Sequence, residues 1–289
     1  MQAEGGNPAY QLRRHGRWKL YVHPQIWSPQ LWRKVLGHLD AIAPAHHPET
    51  RQVDDDGREF YLKIHHPSDG WTGLKDLFRD SKALRAIKQG IALSRAGFSV
   101  PLGVAAGEER RLGFPHRAFL LTVKIEGSPL PQFLRDRHSY PLNPGALEQK
   151  RKHLRQLAVE IQRLHQSGFV HGDLVPSNVF VRGLGDEISF FYLDHDRTRR
   201  YPWWLRYGLW KRNLVQLNRF VLPGISLQDR VRFLKCYLGT ASWGKRERRL
   251  IHWLENKTRT RRWQCDGIRA EVSFRELMRW HGPSARNVR

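Results

Sequence analysis

The chain has 289 residues, with 50 Lys and Arg against 27 Asp and Glu, for a formal net charge of +23. Its 40% hydrophobic and 11% aromatic content excludes a disordered chain, and 289 residues suffice for one large domain or two lobes. Only Cys236 and Cys265 occur, which excludes a disulfide framework or a cysteine metal cluster and suits a reducing compartment. The excess of positive charge favours anionic partners such as nucleic acid, acidic lipid or a phosphorylated glycan. Residues 1–8 lack the apolar core of a signal peptide, and no apolar run approaches the ~20 residues of a membrane span. A cytoplasmic, soluble or peripheral protein is expected.

Trp18–Val22 is read as a strand, and Pro29 to Leu39 as a short helix with Leu31, Trp32, Val35, Leu36 and Leu39 on one side. Asp54-Asp55-Asp56-Gly57 is a hairpin turn. The strand after it alternates, with Phe60, Leu62 and Ile64 on one face and Tyr61, Lys63 and His65 on the other. A lysine in an apolar strand is where kinases grip the α- and β-phosphates. The plain alternative is a surface lysine on an edge strand. A helix is predicted over about Ser81 to Arg95, capped by Asp80 or Ser81 and ended by Gly97. Ala118–Val123 is a buried strand, and Lys124–Gly127 is then a hinge between lobes whose backbone pairs with adenine. Thr122 and Lys124 are the nucleotide-contacting candidates there. A polar, proline-bearing stretch from Arg135 to Pro144 leads into a helix over about Gly145 to Gln166, with Leu154, Leu157, Ala158, Ile161 and Leu164 as its core face.

The most informative string is His171-Gly172-Asp173-Leu174-Val175-Pro176-Ser177-Asn178, followed by the apolar run Ile188–Leu193 and Asp194. An aspartate, an asparagine five residues on and an aspartate after the next strand form the layout of a kinase catalytic loop and metal site. Asp173 is the candidate base that orients an attacking hydroxyl. Asn178 and Asp194 are the candidate Mg²⁺ ligands at the ATP phosphates, and Lys63 joins them as the phosphate-binding lysine. A turn whose Asp and Asn merely bond backbone groups is the alternative, and the spacing of the whole string speaks against it.

Beyond Asp194 the chain is basic. Arg197, Arg199, Arg200, Arg206, Lys211, Arg212 and Arg219 occur without an acid up to Arg219, interleaved with Trp203, Trp204, Tyr207 and Trp210. Helical patterns follow around Leu227–Tyr237 and Arg246–Leu254. A basic C-terminal arm with Arg259, Arg261, Arg262 and Arg269 comes last, and disorder is expected from Pro283.

With Lys63, the His171–Asn178 string and Leu193-Asp194-His195-Asp196-Arg197, the chain resembles the bacterial lipopolysaccharide kinases that phosphorylate Kdo or heptose of the inner core. Ser81-Lys82-Ala83, Gly97–Pro101 and Leu214–Arg219 add to the resemblance, which covers roughly residues 50 to 240. It implies an α+β, protein-kinase-like bilobal fold, with a small β-rich N-lobe (residues 1–127) and a larger helical C-lobe (128–289). It also implies ATP and Mg²⁺, with a lipid-linked anionic saccharide as acceptor at an anionic membrane surface, on the cytoplasmic face of the inner membrane. Asp196 is either an accessory acid or the partner of a neighbouring arginine. Two features depart from protein kinases. Ala43–Pro48, upstream of the lysine strand, has no glycine, and no glutamate occurs between Glu59 and Glu108 to pair with Lys63, leaving Asp76, Asp80 or Gln89. Rival readings are a choline or antibiotic phosphotransferase, whose cationic acceptors want an acidic pocket, and a small atypical protein kinase. A basic RNA-binding pseudokinase is a third, but no nucleic-acid motif is present and no nucleic-acid partner is expected.

Overall fold

The computed structural model describes residues 9–41, 49–66, 79–111, 114–138, 142–202, 204, 208–222 and 224–269. The glycine-free stretch Ala43–Pro48, Asp76, Trp203, Arg206, Tyr207 and the tail from Pro283 lie outside them. Two compact units form. The first runs to Glu126 and takes back Phe191–Thr198, and the second is made of Gly127–Phe190 and the chain from Arg199 on.

The first unit is built on an antiparallel sheet of six strands: β1 (Gln11–His15), β2 (Trp18–Val22), β3 (Glu49–Asp55), β4 (Arg58–His65), β5 (Gly103–Arg111) and β6 (Phe114–Val123), in spatial order β1-β2-β5-β6-β4-β3. Asp56 and Gly57 both take positive φ, 51° and 75°, which is the two-residue hairpin predicted between β3 and β4. Helix α1 (Pro29–Asp40) starts where Ser28 Oγ accepts from Leu31 N at 3.0 Å and Pro29 presets the first turn. Its Leu31, Trp32, Val35 and Leu39 are buried with Phe60, Leu62, Ile64, Phe119 and Leu121 of the sheet. Each such side chain withdrawn from water stabilises by about 1.5–3 kcal/mol. Helix α2 (Lys82–Arg95), capped by Ser81, packs Ala83, Leu84 and Ile87 against Ala106 and Ala118 on the opposite face of the sheet. The alternation along β4 therefore turns Lys63 to the α2 side.

The second unit begins with β7 (Ser128–Pro129) and two helices, α3 (Leu130–His138) and α4 (Pro144–Gln166). Strands β8 (Phe169–Val170), β9 (Val179–Leu184), β10 (Glu187–Tyr192) and β11 (Arg199–Arg200) follow. Helices α5 (Trp210–Asn218), α6 (Leu227–Leu238) and α7 (Lys245–Asp266) complete it. The core face read for α4 is buried as expected. Its Lys150 pairs with Asp229 of α6 at 2.9 Å, with both side chains fully buried.

Two expectations need correction. Residues 135–138 belong to a helix rather than to a polar lead-in: Leu130, Phe133 and Leu134 are buried at helical spacing, and Pro131 sits in the first turn, where its missing N–H costs nothing. The basic arm at Arg259, Arg261 and Arg262 is helical as well. Helix α7 runs 22 residues because Leu254, Thr258 and Arg262 recur at four-residue steps on a buried side, and Arg, Lys and Glu are good helix formers. Of the described aromatics after Arg197, Trp204 is exposed and Trp210 half-buried.

Candidate active site

Candidate residues fall in both units and are described unit by unit. In the first, Lys63 Nζ lies 2.8 Å from Asp194 Oδ1, both side chains about one-third exposed. Tyr192, buried against Phe98, donates its N–H to Ser99 O at 3.0 Å and anchors the end of β10. The chain then passes through Asp194 in the left-handed region (φ 60°, ψ 62°) into one 3₁₀ turn, His195–Arg197. A non-glycine residue there costs of order 1–3 kcal/mol and persists only where its surroundings impose it. They do: Thr198 N–H closes the turn on His195 O at 3.0 Å. Helix α2 also packs directly on it, so that a Cβ on Gly90 would sit 3.5 Å from His195 Cδ2.

This packing accounts for the missing helix glutamate. Where protein kinases send a carboxylate from this helix to the strand lysine, α2 presents Arg85. Its Nε donates to Asp196 O at 3.4 Å and its Nη1 to Asp80 O at 2.7 Å. Asp80 pairs with Lys88 at 2.6 Å. The carboxylate beside Lys63 is that of Asp194 itself. Burial raises the pKa of Asp196, and the neighbouring Asp194 charge adds to the effect. Burial pushes His65, on the same face as Lys63, down to about 3, with the Lys63 charge adding to it, so that its imidazole is neutral.

Thr122 pairs with Tyr61 in the β4–β6 ladder, two register steps from the Lys63–Leu120 pair. Lys124 N–H donates to Glu59 O at 2.9 Å, and its ammonium pairs with Glu59 Oε2 at 2.7 Å. The Lys124 side chain is thus committed to β4.

In the second unit the His171–Asn178 loop joins β8 to β9. Gly172 takes φ 78°, and Pro176–Asn178 form a 3₁₀ turn in which Asn178 N–H reaches Val175 O at 2.9 Å. Asn178 Nδ2 donates to Asp173 O at 2.9 Å, which fixes the amide and leaves its oxygen as the acceptor atom. Two α5 residues hold this loop. Asn213 Oδ1 accepts from His171 N at 2.9 Å, while Gln216 accepts from Leu174 N at 3.1 Å and donates to Gly172 O at 2.7 Å. Asn213 Nδ2 donates to Gln216 Oε1 at 2.9 Å, and His165 Nε2 lies 3.1 Å from Asn213 Oδ1. Tyr237 Oη in turn lies 2.9 Å from His165 Nδ1. Burial pushes the His165 pKa down to about 4, so its neutral ring serves as a link in this chain.

Sequence reading names Lys63, Asp173, Asn178 and Asp194; the structure brings Asp194 to Lys63, in place of Asp76, Asp80 or Gln89, and Asn178 to Asp173, each within its own unit. It misses Arg85, His165, Asn213 and Gln216. The run Leu214–Arg219 was singled out, but nothing in its local pattern points to bonds with a loop more than 40 residues away.

The donor set suits a hard dication. Mg²⁺ takes oxygen ligands and needs only one or two protein groups beside nucleotide phosphates. Asp194 of the first unit would offer a carboxylate and Asn178 of the second an amide oxygen. No group of three or more His, Cys, Asp or Glu side chains that could hold a metal ion occurs among the described residues.

A six-stranded antiparallel sheet with seven helices, among the described residues, is a protein-kinase-like fold. A solved structure of WaaP in complex with acyl carrier protein matches it with a TM-score of 0.59 at 21% identity, over 83% of this chain and 98% of that one. The model of the lipopolysaccharide kinase (Kdo/WaaP) family matches residues 74–237, more than half of the sequence. The chain belongs to that family and is a kinase. A search of curated protein sequences gave no match.

Proposed function

We propose that this kinase transfers the γ-phosphate of ATP to a sugar hydroxyl, on Kdo or heptose, in the inner core of lipopolysaccharide. The observation that carries the reading is the Lys63–Asp194 pair at 2.8 Å in a chain that also keeps the Asp173–Asn178 loop. Lys63 holds the α- and β-phosphates, and β6 with the Thr122–Lys124 segment lies along the nucleotide. Asp194 and Asn178 would hold Mg²⁺, which would supply positive charge to the transferring phosphoryl group. Asp173 accepts the proton of the attacking hydroxyl.

An anionic acceptor agrees with the net charge of +23 and with the acid-free basic segment from Arg197 to Arg219. That segment supports work at the cytoplasmic face of an anionic membrane. No described helix is long and apolar enough to cross one. A protein partner is proposed as well. The similar structure was solved with acyl carrier protein, and the second unit here has a cavity of about 430 Å³, with Leu130, Leu154, Leu157, Leu217, Phe233 and Leu254 in its wall. That volume is within the ~300–1,000 Å³ of small-ligand sites, and a fatty acyl chain suits such a lining.

The test is an acceptor comparison with ATP and Mg²⁺. Core lipopolysaccharide should stimulate ATP turnover, while choline, an aminoglycoside and a generic protein acceptor should not. Stimulation by one of the latter alone would reassign the substrate class.

A further inference from the structure

Helix α7 presents an outer face on which Lys245, Arg246, Arg249, Trp253, Lys257 and Trp263 are exposed. Arg246, Arg249, Trp253 and Lys257 follow at three- and four-residue steps, which place them on one side of the helix. The acids of α7 are engaged elsewhere. Glu247 caps the helix on Gly244 N at 2.9 Å, Glu255 pairs with Arg259 at 2.7 Å, and Asp266 pairs with Arg219 at 3.2 Å. Among the described residues, no acid is paired with Lys245, Arg246, Arg249 or Lys257 on this outer face. Its two tryptophans are 36% and 56% exposed and stand about 15 Å apart along the axis. Lys211 of α5 lies over the Trp253 ring at 5.5 Å and over that of Trp210 at 5.8 Å. The basic, Trp-bearing start of α5 is thus continuous with the α7 face.

We infer that this face, α7 with Lys211, is the surface by which the protein docks on anionic lipid. The inference rests on the reading of a membrane-borne acceptor and adds the surface that meets the membrane. Exposed indole rings favour the headgroup region, where an apolar body and an N–H donor are both accommodated, and the uncompensated cations supply the attraction to lipid phosphate. The exposed side chains of the face are cations with two tryptophans set apart, not the apolar stripe by which a helix seats on a protein partner, and this favours a lipid surface. With only two large apolar side chains among its cations, the helix rests at headgroup level instead of sinking into the acyl region, so binding falls steeply with salt.

The test is cosedimentation of the whole chain with vesicles of phosphatidylcholine alone and with added phosphatidylglycerol, at low and high salt. Wild type should bind only the anionic vesicles, and only at low salt, with a blue shift of tryptophan emission. The variant Arg246→Gln/Arg249→Gln/Lys257→Gln should bind about a hundredfold more weakly, at about fivefold per cation removed. Trp253→Ala/Trp263→Ala should lose the blue shift. Melting temperature and Mg²⁺-dependent ATP binding, measured on the same samples, should not change, because these side chains are exposed and remote in sequence from Lys63 and Asp194. Wild type that binds anionic vesicles no more tightly than the triple variant overturns the assignment to α7 and leaves membrane docking intact. Wild type that ignores anionic vesicles overturns both. Loss of acyl carrier protein binding in the triple variant, with vesicle binding unchanged, would hand the face to a protein. Failure of the kinase reading shows separately, as absent ATP binding.

Discussion

Lys63 Nζ and Asp194 Oδ1 lie 2.8 Å apart although 131 residues separate them. The strand lysine and the acid after β10 therefore face one space. A partly exposed pair of this kind is worth at most about 1 kcal/mol of fold stability, so its value lies in positioning. Lys63→Ala should lower the melting temperature little and weaken ATP binding strongly. Calorimetry that finds unchanged affinity would remove Lys63 from the nucleotide site.

Asp194→Ala should abolish the Mg²⁺ dependence of ATP binding, since the proposed ion would lose its one carboxylate ligand. Asn178→Ala removes a neutral ligand and should be milder. Titrations indifferent to Mg²⁺ in wild type would contradict the metal assignment and point to a pseudokinase.

Gln216 bonds both sides of Asp173, at Gly172 O and Leu174 N. Gln216→Leu strands these two backbone groups, at about 1–3 kcal/mol for each one that water cannot reach. The expected result is a lower kcat with KM for ATP unchanged, because the base is misplaced while the nucleotide-binding residues of the first unit are untouched. A fall in stability without a kcat effect would make Gln216 merely structural.

Much of this was legible in the sequence, for identifiable reasons. Lys63 stands out because an alternating strand exposes a charge among apolar residues. Asp173, Asn178 and Asp194 stand out because their spacing is short and fixed. The caps and turns at Ser81 and at Asp56-Gly57 use local chemistry. Contacts that cross the chain left no local trace. The bonds from Asn213 and Gln216 to the catalytic loop span more than 40 residues. The partner of Lys63 was sought on a helix and lies on a turn. Helix α7 was read too short because its buried side is one leucine, one threonine and one arginine, which hydrophobic periodicity does not register.

Acid should destabilise the protein before its carboxylates titrate. Burial holds His165 and His138 at about 4, below the ordinary 6.5. A histidine whose folded pKa is depressed stabilises fully above 6.5, and that contribution is lost as pH falls from there toward 4, because the unfolded chain binds the protons. Melting temperature should drop across this window, and His165→Gln should flatten part of the drop. A melting temperature constant between pH 6.5 and 4.5 would contradict the burial of these rings.

Lys150 and Asp229 are a buried pair at 2.9 Å. Lys150→Met leaves Asp229 charged and buried, at a cost of about 3–5 kcal/mol. Lys150→Met/Asp229→Asn should recover part of that loss in chemical denaturation. No recovery would mean that Asp229 stabilises mainly through its capping bond to Ser226.

The central claim is phosphoryl transfer to the lipopolysaccharide core by the Asp173 loop, and the mass of the acceptor tests it most directly. Incubated with ATP and Mg²⁺, purified inner-core lipopolysaccharide lacking core phosphate should gain the mass of one phosphoryl group on Kdo or heptose. Asp173→Asn, which still binds ATP, should slow that gain by about 10²-fold or more. An acceptor that gains no phosphate from an enzyme that binds Mg²⁺-ATP, or a gain unaffected by Asp173→Asn, would contradict the account.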